Sequence, residues 1–477
     1  MKSTIPIPPS LGRFGLLVLL AGQLLPMIDF SIINVALDTI AHAFHASEIQ
    51  LELLVAVYGV SFAVCLAMGG RLGDNYGRRR IFVAGVLVFG VASLLCGLAG
   101  SIELLLAARA LQGAGAALLV PQVLATIHVC LSGHHHSRAL ALYGGIGGLA
   151  FVIGQVLGGF LVSADIAGMG WRSVFLINIP VCVLVLLSVY RCMPDTRREH
   201  ASHIDWPGTL LLAMLILCIL VPLALGPSHH WSWPWVVGLI AALPLVALLW
   251  QAELKQEKRG AHPLLPPALI RLHSVRFGIT IALLFFSCWS GFIFVLARTV
   301  QAGAGMSPLQ SGNAFVAMGV AYFIGALMAP RVIRRLGILN TLLAGCAVQM
   351  PGLLALIATM DWTWPHLDIL NLMPSTVLIC FGQSFIVNCF YRIGLADVPA
   401  SEAGAGSALL STVQQTALGL GAPMLGTVFV HFVPASYLIA ARAALAVELG
   451  VMLVLVVATL IYRQQQKTIL FNKRCSA

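Results

Sequence analysis

The strongest constraint on this chain is a succession of apolar runs, each near the ~20 residues that cross a bilayer core as a helix. Of the 477 residues, 59% are hydrophobic and 9% are charged, against roughly a quarter charged in soluble domains. No soluble core needs that much apolar surface. A helix bonds its backbone polar groups internally, so helical spans are the economical reading of such runs. The first run, from Phe14 to Ile40, is too long for a signal-peptide core and holds an acid, so it reads as a retained span. Eleven cysteines lie mostly inside apolar runs with no C-x-x-C pair. They read as small apolar packing residues.

Polar breaks divide the chain into spans near 14–40, 51–70, 81–100, 103–129, 139–163 and 172–191. Two follow at 207–226 and 234–251, then six at 277–300, 308–329, 338–358, 369–391, 404–431 and 438–461. This predicts an all-α integral membrane protein of fourteen spans with both termini on one side. The positive-inside rule orients it. With the N-terminus in the cytoplasm, twenty-three of the 27 basic residues fall in cytoplasmic segments. Arg172, Arg298 and Arg442 lie near the outer face, and Arg109 sits within a span. The net charge of +10 therefore serves topology and lipid contact rather than a nucleic-acid partner. The expected organisation is a six-helix bundle over 1–191, two additional spans with cytoplasmic linkers over 192–276, a second bundle over 277–461, and a cytoplasmic tail over 462–477.

The loop Gly70-Arg71-Leu72-Gly73-Asp74-Asn75-Tyr76-Gly77-Arg78-Arg79-Arg80 is the most specific feature. Its glycines allow a tight turn, Asp74 can cap a helix or pair with a cation, and the arginines face the anionic inner leaflet. Pro330–Gly337 echoes it at the equivalent point of the second six spans. Two related six-helix halves with a site between them is a transporter plan.

This loop resembles the G-x-L-x-D-x-x-G-R-[KR] segment of the major facilitator superfamily at Gly70, Leu72, Asp74, Gly77, Arg78 and Arg79, with Asn75 where the family often has Arg. Four further segments are similar to the fourteen-spanner drug:proton antiporters of that superfamily. Ile28–Leu37 resembles L-D-x-[ST]-x-x-x-x-A-L-P, with Asp38 in the proline's place. Arg109–Gly113 matches R-x-x-Q-G, and Gly154-Gln155-Val156-Leu157-Gly158-Gly159 resembles the antiporter motif G-P-x-x-G-G with Gln155 for proline. Trp171–Pro180 is close to W-R-W-x-F-x-x-N-x-P. The resemblance implies a major facilitator fold. It also implies that the Gly70–Arg80 loop latches the halves in the outward-facing state, and that Gly154, Gly158 and Gly159 seal against leak.

Individual residues carry the rest of the reading. Asp29 is an intramembrane carboxylate, costly unless paired, hydrated or protonated, hence functional by default, and the proton-coupling role is assigned to it. Arg109, Gln112, Gly113 and Ala116 share a helix face, expected to look into a water-accessible cavity where Arg109 tunes Asp29. Phe285, Trp289 and Phe292 at i, i+4, i+7 could stack on flat or cationic substrates. Asn34, Gln383, Asn388, Gln414 and Gln415 could supply polar contacts to the cavity. Three adjacent histidines, His134–His136, lack the spacing of a metal site and read as a solvated loop.

These features together predict no enzyme and no cofactor, with transport driven by a proton gradient. The expected protein is an inner-membrane antiporter exporting lipophilic drugs or toxic metabolites, cationic ones included, by alternating access. Its partners would be a small-molecule substrate, membrane lipid and, beyond a monomeric transport unit, a periplasmic adaptor protein. A proton-coupled importer of the same fold is the alternative.

Overall fold

A computed structural model describes residues 11–131, 133–196, 205–226, 231–260, 263–399 and 402–475. Among them the structure is helical throughout. The long helices are α1 (Arg13–Phe44), α2 (Glu48–Tyr76), α3 (Arg78–Gly97), α4 (Ile102–Cys130), α5 (Gly133–Ala164), α6 (Gly170–Cys192), α7 (Trp206–Leu225) and α8 (Trp233–Lys258). They continue with α9 (His273–Gly303), α10 (Pro308–Leu336), α11 (Ile338–Thr363), α12 (Ile369–Gly394), α13 (Ala403–Phe432) and α14 (Tyr437–Cys475). Twelve of these, all but α5 and α13, are long and apolar enough by length and composition to cross a membrane among the described residues. Leu184, Leu187, Leu243 and Leu370 are among many large apolar side chains left on the surface, as a helix facing lipid requires.

Local sequence sets the helix ends, and it repeats. Before α2, the Ser47 hydroxyl accepts from Gln50 N at 3.3 Å while Gln50 Oε1 accepts from Ser47 N at 2.9 Å. Before α10, Ser307 and Gln310 form the same reciprocal box at the same two distances. Both helices end on a glycine with positive φ, Gly77 at 101° and Gly337 at 80°, and the next helix starts at once. Only glycine takes that backbone without strain. So α2–α3 and α10–α11 are equivalent hairpins, one in each bundle.

The bundles meet where backbones can approach. A Cβ on Gly59 of α2 would lie 2.6 Å from the Cα of Gly419 in α13, and one on Gly312 of α10 would lie 2.6 Å from the Gln155 carbonyl of α5. Ser163 Oγ accepts from Leu309 N at 3.0 Å beside this second contact. The α7–α8 pair packs across the α2–α13 seam. Leu212, Ile216 and Leu220 join Ala56, Val60 and Leu249 in one apolar cluster, and Thr427 Oγ1 of α13 donates to the Leu223 carbonyl at 2.5 Å.

The histidine run differs from expectation: His134–His136 form the first turn of α5 rather than a loop. With Gly133 and Ser137 around it, the run carries no proline or strong breaker to oppose helix propagation.

Candidate functional site

Asp29 lies on the turn of α1 that follows Pro26 and is fully buried. Its Oδ2 pairs with Arg109 Nη1 of α4. Its Oδ1 accepts from Gln112 Nε2 at 2.7 Å and from Asn178 Nδ2 of α6 at 2.9 Å. Ser93 Oγ of α3 accepts from the same two amides at 2.9 and 3.3 Å, fixing both toward the carboxylate. Arg109 Nη1 also donates to Gln112 Oε1 at 2.8 Å, and its Nε to the Leu54 carbonyl of α2 at 3.4 Å. The guanidinium lies over the Tyr58 ring, 4.3 Å from its centroid, and the Tyr58 hydroxyl donates to the Pro26 carbonyl at 3.1 Å. One terminal nitrogen, Arg109 Nη2, has no partner. Five helices of the first bundle thus converge on one acid.

The α4 polar stripe differs from its expected setting. Arg109 and Gln112 are fully buried and turned onto Asp29 rather than lining an accessible cavity. Gly113 serves packing, since a Cβ there would sit 2.3 Å from the Tyr58 carbonyl.

The glycines of α5 bear on the same site from behind. A Cβ on Gly154 would strike Ser31 Oγ and come within 2.8 Å of the Ile28 carbonyl, and one on Gly158 would meet Ile32 at 2.7 Å. Gln155 Nε2 donates to the Ser31 carbonyl at 3.0 Å. Gly159 faces the other way, its Cβ position 2.7 Å from the Pro308 carbonyl of α10. One helix therefore touches both the backbone beside Asp29 and the second bundle.

The Gly70–Arg80 segment, expected as a loop, is helical but for Gly77; in it Asp74 pairs with Arg78 at 2.6 Å, Arg78 Nη1 donates to Thr196 Oγ1 at 3.3 Å, and Asp195 lies near Arg79 and Arg80. These partners belong to the first bundle and its trailing segment. Arg71 Nη2 instead donates to the Pro263 carbonyl at 2.8 Å, tying the loop to the linker after α8. Leu72 and Gly70 complete the last turns of α2.

The remaining candidates disperse. Phe285 and Phe292 are fully buried in the second bundle, and Trp289 stacks on Tyr322 of α10 with centroids 6.0 Å apart. Residues 282–286 form a wide π-turn, so the regular α spacing assumed for this face does not hold there. Asn34 Nδ2 donates to the Ser31 carbonyl at 3.2 Å and Asn388 Nδ2 to the Ser384 carbonyl at 2.8 Å, each within its own helix. Gln383 Oε1 accepts from Cys380, and Gln414 Oε1 accepts from the Tyr391 hydroxyl at 2.8 Å. Gln415 is half-buried on α13.

A second polar site was not singled out from sequence. Arg298 of α9 pairs with Glu48 at 2.5 Å and with Asp38 at 3.1 Å, and the Tyr437 hydroxyl donates to Glu48 at 3.0 Å. Close by on α2, Glu52 is fully buried against Gly426 of α13, with neither carboxyl oxygen bonded. The signal lay in charges flanking span ends far apart in the chain, which only the fold brings together. This bridge joins the bundles at the end opposite the Gly70–Arg80 loop.

Residues 19–422 match the sequence model of the Major Facilitator Superfamily. The chain belongs to that family and is a multi-pass membrane transporter. It is 34% identical over 424 residues to a probable actinorhodin transporter of Streptomyces coelicolor, covering 88% of this chain and 73% of that one. To the puromycin resistance protein pur8 of Streptomyces alboniger it is 33% identical, over 87% of this chain and 81% of the relative. In fold it is similar to a solved POT family transporter in complex with 5-aminolevulinic acid, with TM-score 0.69 at 12% identity over 95% of this chain and 98% of that one.

Proposed function

We propose that this transporter is a fourteen-span, proton-coupled antiporter that exports lipophilic drugs or toxic metabolites, cationic ones included, from the cytoplasm. The observation that carries the reading is the buried Asp29–Arg109 pair at the meeting of five helices, in a chain whose relatives bear the names of antibiotic transporters and resistance proteins. The count of fourteen adds α5 and α13 to the twelve helices that are long and apolar enough by themselves. The charge asymmetry supports an orientation with the Gly70–Arg80 segment and both termini on the cytoplasmic side, which in this reading is that of an inner membrane.

In that orientation the Arg298–Glu48–Asp38 bridge is periplasmic and the arrangement is closed outward. Protonating Asp29 removes the charge that holds Arg109, and the spare Nη2 gives the guanidinium a direction in which to re-pair. The α5 glycines transmit that shift, because they seat directly on the Ile28–Ile32 backbone. A proton crossing inward supplies about 1.4 kcal/mol per pH unit and about 2.3 kcal/mol per 100 mV. Either term alone concentrates a neutral substrate about tenfold or more.

The test compares a deletion strain with an overexpressing strain on a susceptibility panel including puromycin. Radiolabelled movement of any compound that scores is then followed in everted vesicles under an imposed pH gradient. Proton-driven accumulation inside everted vesicles is expected. Movement in the opposite sense contradicts export and supports the importer.

A further inference from the structure

The second bundle contains a polar cluster on helices equivalent, by the repeat, to four of the five that build the Asp29 site in the first. The equivalent hairpins α2–α3 and α10–α11 pair α1 with α9, α3 with α11, α4 with α12 and α6 with α14. Asp29, Ser93, Gln112 and Asn178 come from α1, α3, α4 and α6. From α9, α11, α12 and α14 come Cys288, Gln349, Cys380 with Gln383, and Glu448. The α12 pattern Cys380-x-x-Gln383 copies Arg109-x-x-Gln112 in spacing and in contact. Cys380 Sγ donates to Gln383 Oε1 at 3.5 Å, as Arg109 donates to Gln112 Oε1. The cation is the member that is not repeated.

Glu448 is fully buried, at 0% accessible surface. Gln349 Nε2 donates to its Oε1 at 3.2 Å. Its Oε2 has no partner, and neither does Gln349 Oε1. Both groups are thus bonded once, edge to edge, with one oxygen left over on each. Among the described residues no cation pairs with Glu448. The titratable groups within electrostatic reach are the thiols of Cys288 from α9 and Cys380 from α12, neither of which supplies positive charge. An ionised carboxylate here would be buried without compensation, which costs several kcal/mol. One proton on Oε2, donated to Gln349 Oε1, satisfies both unpartnered oxygens and completes a cyclic acid–amide pair.

We propose that Glu448 and Gln349 form a second proton-binding site, housed in the C-terminal bundle and independent of the Asp29 site. The acid holds its proton in this outward-closed arrangement. A rearrangement of α11 against α14 that separates the pair and admits water would release it.

Infrared difference spectroscopy on the purified full chain, with carbon-13 glutamate labelling to move glutamate bands away from those of Asp29, tests this without any substrate. At neutral pH, wild type minus E448Q is expected to show one protonated-carboxyl band that shifts on labelling. In Q349L, which keeps the acid but removes its partner, that band is expected to move to higher frequency. Spectra of wild type and E448Q that coincide in the carboxylic-acid region overturn the proposal, because Glu448 is then ionised. A band indifferent to Q349L overturns the pairing. If E448Q does not yield folded protein, the labelled wild type against Q349L decides alone. Neither result depends on whether Asp29 couples transport.

Discussion

Asp29 was legible in the sequence because an acid in an apolar span has few inexpensive states, and Arg109 because it was the one base within the first six spans. Their direct pairing was not legible, since nothing in either segment measures the distance between helices eighty residues apart. Nor was the share taken by Ser93, whose type is ordinary in membrane helices, or by Asn178, which stood out only as part of the Trp171–Pro180 motif without a partner assigned. The pair's energetics give two predictions. Removing one partner leaves a buried charge unpaired and costs about 3–5 kcal/mol, so R109Q should unfold at markedly lower temperature in detergent. The double variant D29N/R109Q should regain much of that loss, because no charge is left over. A double variant no more stable than R109Q would show that the bond is not what holds the bundle. N178A removes one hydrogen bond to a charged group, so a smaller loss of about 1.5–3 kcal/mol is expected, read in the same melts.

At the scale of elements, apolar runs between polar breaks located the helices well, because length and hydropathy are local properties. Helix ends extended beyond the runs where capping boxes and basic turns continue the helix past the bilayer, as α2 does to Tyr76. Periodicity missed the π-turn at 282–286, where no proline or glycine stands and Phe286 packs against Trp289 and Phe390. The glycines of α5 read as small residues for close packing, and the structure adds what each one touches. The α5–α10 contact yields a prediction. A methyl at Gly312 meets backbone at Gln155 and Gly159, which cannot swing aside. G312A should disfavour the closed arrangement by about 1–3 kcal/mol. In a cysteine-free background, disulfide formation between Ser163→Cys and Leu309→Cys should fall about tenfold. An unchanged yield would show that the two helices separate without this contact.

For the whole molecule, sequence supplied two bundles and an internal echo, but not which end of the bundles is shut. That information resides in contacts between residues hundreds of positions apart: Arg298 with Glu48, Gly59 with Gly419, Ser163 with Leu309. R298A removes the cation that bridges α1, α2 and α9 and leaves Glu48 and Asp38 without their shared partner. The outward-open population should rise several-fold, seen as a longer spin-label distance between the start of α2 and the end of α9. A distance distribution identical to wild type would assign closure to the glycine contacts alone. The account as a whole rests on Asp29 as the group through which a proton gradient drives export. Asp29→Asn keeps the side chain's shape and an oxygen for the Gln112 and Asn178 amides, and loses the Arg109 ion pair together with the titratable proton. In proteoliposomes, with a compound identified by the susceptibility panel, the variant is expected to retain exchange of labelled for unlabelled compound but to lose accumulation under an imposed pH gradient. Accumulation by Asp29→Asn equal to wild type would contradict the account.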